Sequence, residues 1–415
     1  MRRLLFQTTV IQSLGTILML LLTLIISRYG GPSTQGSFAL VKSFNDLQVA
    51  VFSLGLPPAI VIMLNRTGRG HLAIERLLVR YSLVLILGLP FVNAAVLHWL
   101  GDVGSGSRLA TQAALIGLAS AIFTLTAFMR ALLLVHTDGP IFSFISIFHW
   151  VIIFLLSLIL MNRTELTFEF AYFFAAISTA ALTISVLRRY QKSAQIRTNG
   201  EHIEWTLLRA QAGHVLLQAV LYGLQPFASN ALLARTDPDL TSTGLFNVAS
   251  LIITLPNFLV ALVAPVLLNR WSKALEPGGL ARAAFFAAGF GVCGQAAALF
   301  CIPLLPMLIE QLLGTMFLPA AYPTEILLLS VFAVICGRIL TPALQGLGRN
   351  DLVSLSCIAR VVTITAGYWV SAFWFEQSAV FALAIGWCMG EYSAVCILLA
   401  ATRIICRANC SPIAG

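Results

Sequence analysis

Apolar runs of about twenty residues follow one another along almost the whole chain, and one polar interval, Arg188 to Trp205 (RRYQKSAQIRTNGEHIEW), separates them into two sets. A helix that crosses the hydrocarbon core of a bilayer needs about 20 predominantly apolar residues. Measured against that length, the first set places spans at 7–27, 37–64, 81–100, 109–135, 141–161 and 167–187. The second places them at 206–233, 243–268, 283–305, 324–347, 352–374 and 378–402. The expected fold class is an all-α membrane protein of about twelve transmembrane helices. A six-helix bundle occupies 1–187, a cytoplasmic linker 188–205, and a second six-helix bundle with a short cytoplasmic tail 206–415.

Composition excludes a water-soluble alternative. Hydrophobic residues make up 59% of the 415 positions and charged residues 10%, against about 25% charged in an ordinary soluble domain. A net charge of +9 suits nucleic acid in principle, but the placement of the cations explains it as topology. With the N-terminus inside, the cytoplasmic segments hold Arg2, Arg3, Arg66, Arg69, Arg76, Arg80, Arg188, Arg189, Lys192, Arg197, Arg270, Lys273, Arg282, Arg349, Arg403 and Arg407. The outer loops hold only Arg28, Arg108, Arg163 and Arg235, so both termini are expected on the cytoplasmic side and no nucleic-acid partner is expected. Trp99, Trp205, Trp271 and Trp374 fall near span ends, as an interfacial aromatic belt would place them. The N-terminal run is too long for a signal-peptide core and lacks an A-x-A-like site, so it reads as a retained first span. No outer loop is long enough for a folded catalytic domain, so any chemistry would have to take place among the helices.

All eight cysteines lie in the second half, six of them inside apolar runs, where they read as small packing residues. Cys406 and Cys410 stand in the tail without a nearby histidine; no disulfide framework, metal site or cofactor is expected.

The two halves echo each other. Arg28 is followed by Gly36 and Phe38, and Arg235 by Gly244 and Phe246. Leu64-Asn65-Arg66 matches Leu268-Asn269-Arg270, and both of these spans contain prolines, Pro57 and Pro58 in one, Pro256 and Pro265 in the other. Arg130 and Arg338 each precede a polar turn in the fourth and tenth spans. Halves with an even number of spans would be parallel repeats about an axis along the membrane normal.

Several of these pieces, Ser27-Arg28-Tyr29-Gly30-Gly31-Pro32 leading into Gly36-Ser37-Phe38-Ala39, then Leu54-Gly55-Leu56, then Ala343-Leu344-Gln345-Gly346-Leu347-Gly348-Arg349, resemble the polysaccharide flippases, including O-antigen flippases, of the multidrug/oligosaccharidyl-lipid/polysaccharide exporter superfamily. The resemblance extends over nearly the whole chain in span number, six-plus-six layout and central loop. It implies alternating access between two helical bundles in a bacterial inner membrane. The passenger would be a lipid-diphosphate-linked oligosaccharide, with membrane lipids, a polysaccharide polymerase and other biosynthesis proteins as partners.

Ionisable residues inside the spans carry the residue-level argument, because each costs about 2.5–3.5 kcal/mol at a helix centre on insertion scales. Arg338 and Arg360 fall near mid-membrane, and Lys42 and Arg130 lie within spans of the first half. Against these stand Asp46, four residues from Lys42, and Glu391, as candidates for ion coupling or charge pairing. The cationic excess suits an anionic passenger, since arginine offers a planar fork of donors to phosphate. Internal ion pairs holding helices together are the other reading. Arg209, near a cytoplasmic span end, can snorkel, and His149 and His214 read as packed helix residues. Pro57, Pro58, Pro256 and Pro265 are candidates for kinks that bend during gating. Gly36 and Gly244 read as close-packing positions.

Two other functions stay open. A cation-coupled drug exporter of the same superfamily would be expected to carry an acid in the first or seventh span, where this chain has none, although Asp46 or Glu391 could serve. A membrane glycosyltransferase or polymerase would find its support in Asp237-Pro238-Asp239, which reads more simply as a turn and helix cap.

Overall fold

The computed structural model describes residues 2–67, 71–99, 106–136, 139–160, 167–193, 205–253, 277–374 and 378–410. The helices are α1 (Arg2–Phe52), α2 (Leu56–Thr67), α3 (His71–Trp99), α4 (Gly106–His136), α5 (Gly139–Leu160), α6 (Thr167–Ser193) and α7 (Trp205–Thr236). They continue with α8 (Thr241–Ile253), then α9 (Pro277–Cys301), α10 (Leu305–Leu313), α11 (Ala321–Leu328), α12 (Val331–Gly346), α13 (Asn350–Trp374) and α14 (Ala379–Cys410). Short 3-10 turns, Ile302–Leu304 and Thr315–Ala320, join α9 to α10 and α10 to α11. Helices throughout are what a bilayer demands, because lipid offers no partner to an unpaired backbone group.

Among the described residues, eight helical stretches are long and apolar enough to span a membrane, or nine if one bent pair counts as a single span. That pair, Thr315–Leu328 and Val331–Gly346, turns by 54° where the sequence predicts one continuous span over 324–347. The remaining differences from twelve have physical causes. The first two runs share α1, which is continuous except at Gly31, where φ 73 breaks the helix just before Pro32 removes another donor. The expected 37–64 span is interrupted by a turn at Ser53–Leu54–Gly55, in which Leu54 and Gly55 both take positive φ. Gln211, His214, Gln218 and Gln225 dilute the apolarity of α7. The eighth run is described only as far as Ile253, so Pro256 and Pro265, like residues 194–204 of the linker, lie outside the described residues.

Packing divides the chain into two compact units: Met1–Leu22 with Val41–Gly223, and Thr23–Leu40 with Leu224–Gly415. The division therefore runs through α1 and α7, whereas the polar 188–205 interval was the expected divider. In the first unit Gly55 lets α7 approach closely, since a Cβ there would lie 2.5 Å from the Ala212 carbonyl oxygen and the Leu216 nitrogen. The core of this unit gathers Ile60, Met63, Leu78, Phe128, Leu132 and Leu208 from α2, α3, α4 and α7. The core of the second unit gathers Leu233, Phe246, Leu280, Leu340, Val353 and Leu383 from α7, α8, α9, α12, α13 and α14. Large apolar side chains on the outer faces, Phe91, Phe285 and Phe300 among them, are more than three-quarters exposed, at 78%, 76% and 78%. In water such a surface would aggregate; lipid solvates it.

The tightest backbone approach belongs to the second unit. A Cβ on Gly36 of α1 would stand 2.1 Å from the Leu240 carbonyl oxygen, and one on Gly244 of α8 would stand 1.9 Å from the Pro32 carbonyl oxygen. Each glycine thus meets the residue four positions before the other, and each would-be Cβ lies 3.1 Å from the other's nitrogen. Asn230 of α7 donates to the Ala39 carbonyl at 3.2 Å and Arg28 to the Gln311 carbonyl at 2.8 Å, so α1 is tied to α7 and α10 as well.

We expect Gly244→Val to lower the thermal midpoint of the detergent-solubilised protein by the equivalent of roughly 1–3 kcal/mol, an overpacking cost. Gly88→Ala in α3, with open space around the site, should leave the midpoint unchanged or raise it slightly.

Candidate functional site

The first unit brings Lys42, Asp46 and Arg130 into one polar and aromatic cluster built by α1, α4, α5 and α6. Lys42 and Asp46 are one helical turn apart on α1, and their Nζ–Oδ2 distance is 2.8 Å. Their side chains are 28% and 47% exposed. Charged groups on an apolar helix are costly toward lipid, so the exposed side of the pair is suited to water or a polar ligand. Asn45, buried beside them, accepts a hydrogen bond from Ser120 of α4 at 2.9 Å. One turn on, Gln48 bonds Asn93 of α3 through their amides, and Asn93 also donates to the Ala113 carbonyl. These buried bonds fix the rotation of α1 and hence the direction in which Lys42 and Asp46 project.

Arg130 projects from α4 onto α5. Its guanidinium carbon lies 4.7 Å from the Phe142 ring centroid, and an Nη donates to the Ser146 hydroxyl. That hydroxyl in turn donates to the Phe142 carbonyl at 2.7 Å, which holds it in place as an acceptor. Both partners are neutral, and the buried Nε of Arg130 has no hydrogen-bond partner among the described residues. The Arg130 charge is therefore supported by a ring and a hydroxyl, with no counter-ion among the described residues.

His149 and Trp150 complete the cluster. The charges of both Arg130 and Lys42 reach His149. The Lys42 ammonium stands 6.0 Å from the Trp150 ring centroid. Phe123 packs edge-on to His149 at 5.8 Å and to Tyr172 of α6 at 6.4 Å. The sequence reads His149 as a packed helix residue, and the charges alone do not single out Phe142, Ser146 or Trp150. Their spacing was the available signal, since 142, 146, 149 and 150 share one face of a helix.

The second unit treats its arginines differently. Arg360 of α13 is buried and forms an ion pair with Glu391 of α14 at 3.0 Å, both side chains being close to fully enclosed. Three glycines bring these helices together: a Cβ on Gly390 would lie 2.9 Å from the Arg360 carbonyl oxygen, and one on Gly367 would lie 2.9 Å from the Gly386 Cα. Arg338 is exposed on α12, while most of that helix is buried. The structure thus places Arg360 and Glu391 together, leaves Arg338 at a surface of its unit, and gives Asp46 and Glu391 each an arginine or lysine partner.

The prolines fall at helix starts more than in bends. Pro57 and Pro58 occupy the first turn of α2, where a missing N–H deprives the helix of nothing, so they start a helix and do not kink one. Prolines that do lie inside helices are Pro32, Pro90, Pro226 and Pro342. Asp237 caps α8: its carboxylate accepts from the Ser242 amide at 2.8 Å and the Asp239 amide at 3.2 Å. No group of three or more His, Cys, Asp or Glu side chains among the described residues is arranged to hold a metal.

No family model matches this chain, and no curated protein matches it in sequence. Solved structures do match its fold. An inward-facing multidrug resistance MATE family transporter of the MOP superfamily is 13% identical with a TM-score of 0.72, over 98% of this chain and 96% of that one. The lipid II flippase MurJ in an inward closed conformation is 11% identical with a TM-score of 0.76, over 95% and 87%. A MOP superfamily transporter from Pyrococcus furiosus, described by the reverse polarity of its binding pocket, is 13% identical with a TM-score of 0.72, over 98% and 96%. At such identities the likeness establishes the fold, that of MOP superfamily transporters.

Two outcomes follow from this geometry. Glu391→Gln leaves a buried arginine without its counter-ion and should destabilise the purified protein by about 3–5 kcal/mol, whereas Arg360→Met with Glu391→Leu should come close to wild type in the same thermal scan. Asp237→Ala should cost about 1 kcal/mol. The amides of Ser242 and Asp239 hold the Asp237 carboxyl below its ordinary value. Its contribution is therefore complete above the unfolded carboxylate range and fades as pH falls through the lower folded value, so the gap between Asp237→Ala and wild type should close in acid.

Proposed function

We propose that this chain is an alternating-access flippase that carries a lipid-diphosphate-linked oligosaccharide from the inner to the outer leaflet of a bacterial inner membrane. In this reading it has about twelve spans in two six-helix repeats, both termini are cytoplasmic, and it works alongside a polysaccharide polymerase. The MOP superfamily fold supports a membrane flippase or exporter, and MurJ, a lipid II flippase, is among the structures that share it. Alternating access is the mechanism that two helical units of this kind suit.

The observation that carries the choice of passenger is Arg130. A guanidinium inside a span, supported only by neutral groups, is a site of uncompensated positive charge, and an anion that enters supplies the missing partner. A diphosphate fits this chemistry, because an arginine fork donates to two phosphate oxygens at once. Lys42, held ready by Asp46, would offer the passenger a second cation in the first unit, and Arg338, exposed on α12, would offer one in the second. In this assignment Arg360 serves indirectly, by locking α13 to α14 through Glu391.

Export of organic cations is the second reading, favoured by the multidrug transporters that share the fold and by the exposure of Asp46. The Lys42 ammonium at 2.8 Å opposes it, since that carboxylate already has its cation.

The test is translocation of a fluorescent polyprenyl-diphosphate-linked oligosaccharide in reconstituted vesicles. Wild type should transport it, and Arg130→Gln should lose about tenfold or more at unchanged thermal stability. Arg130→Lys, which retains charge but not the fork, should fall between them. Efflux of small organic cations with no lipid transport would overturn the assignment.

A further inference from the structure

We propose that Trp150, with the Lys42 ammonium over its ring and Asp46 paired to that lysine, is a sugar-binding platform that reads the first saccharide next to the diphosphate. The inference rests on the flippase reading above and adds what the passenger's glycan meets.

A pyranose has two kinds of surface. Its faces present C–H groups and pack on flat aromatic rings, and its rim presents hydroxyls that both donate and accept. A site for it therefore needs an aromatic face that is open, with an acceptor and a donor beside it. The indole of Trp150 is partly exposed, and the Lys42 ammonium stands over its ring at 6.0 Å from the centroid, a loose contact that a sugar stacking on the indole would replace as the flexible lysine side chain moves to the sugar's rim. Asp46 supplies the acceptor, and its 2.8 Å bond to Lys42 holds donor and acceptor next to each other, the arrangement that vicinal hydroxyls accept. Both charged groups are partly exposed on a span, which is tolerable only toward water or a polar ligand.

The base beneath is rigid. Ser120 holds Asn45 on the buried side of α1, and Phe123 wedges edge-on between His149 and Tyr172. The Tyr172 hydroxyl is buried with no hydrogen-bond partner among the described residues, and the Asp46 charge reaches this residue.

Spacing along α5 sets the order. Phe142, which supports the Arg130 guanidinium, and Trp150 are eight residues apart, about 12 Å along the helix axis. His149 lies within reach of the charges at both ends. A diphosphate at Arg130 thus directs its first sugar toward Trp150, and a stack on the indole follows from the same face of the same helix.

The test is equilibrium binding to the purified full-length protein of two probes, polyprenyl diphosphate and polyprenyl-diphosphate-linked N-acetylglucosamine. Trp150→Leu should weaken the sugar-bearing probe about tenfold and leave bare polyprenyl diphosphate within about twofold. Trp150→Phe, which keeps an aromatic face, should restore most of the difference. Arg130→Gln should weaken both probes equally. Should Trp150→Leu fail to fold, Asp46→Asn carries the test, with the same selective loss for the sugar-bearing probe. Equal weakening of both probes by Trp150→Leu and by Asp46→Asn, or none, would overturn the platform while leaving the flippase reading intact. Failure of wild type to bind either probe would overturn both.

Discussion

Where Gly36 meets Gly244, two backbones approach so closely that either glycine's missing Cβ would fall within about 2 Å of a carbonyl oxygen, at 2.1 Å and 1.9 Å. Much of the second unit depends on that contact. Segment Thr23–Leu40 of α1 belongs to this unit although the chain on either side of it belongs to the other. It is held there by the glycine crossing, the Asn230 bond to Ala39 and the Arg28 bond to Gln311. Within this segment the helix breaks at Gly31, where φ is 73, immediately before Pro32, whose carbonyl oxygen the Gly244 site meets. Small residues do this work in lipid because the hydrophobic effect gives helices no reason to associate there, and close approach with good packing must supply the attraction.

The same reasoning governs the charges. A buried arginine in a membrane protein is stable only with a partner, and the two units meet that requirement in different ways. In the second, Arg360 is matched by Glu391 across helices that glycines hold at short range, which yields a rigid, neutral pair. In the first, Arg130 rests on a phenylalanine ring and a serine hydroxyl, which leaves its charge uncompensated. A neutral pair resists opening and is suited to holding helices. A cation with no counter-ion among the described residues, in the same unit as the partly exposed Lys42 and Asp46, is suited to meeting an anion that comes and goes.

The aromatic residues around that cation extend the argument from charge to shape. Phe142, His149 and Trp150 share a face of α5, with Phe123 and Tyr172 behind them. Aromatic groups in a span are ordinary when they face lipid or a core. Here Phe142 lies against an arginine and Trp150 against a lysine that is paired with an aspartate, a combination that lipid contact does not explain.

Much of this was legible in the amino-acid sequence. The apolar runs determined an all-helical membrane protein, because a bilayer leaves a backbone few other options, and most helix ends fall within a few residues of where the runs stop. Four-residue spacing placed Lys42 and Asp46 in one pair, and the matched positions of Gly36 and Gly244 marked them for close packing. Asp237 was readable as a cap from its place before α8. Other features depended on distances between residues far apart in the chain, on which periodicity is silent. That Glu391 lies against Arg360, that Arg130 meets the neutral Phe142 and Ser146, and that Trp150 meets Lys42 are consequences of how helices rotate against one another. The division through α1 and α7 is of the same kind. Hydrophobic patterning tells a helix that it must be buried in lipid or protein, and only the packed structure, through glycine contacts and buried amide bonds such as Gln48 to Asn93, decides which face meets which neighbour.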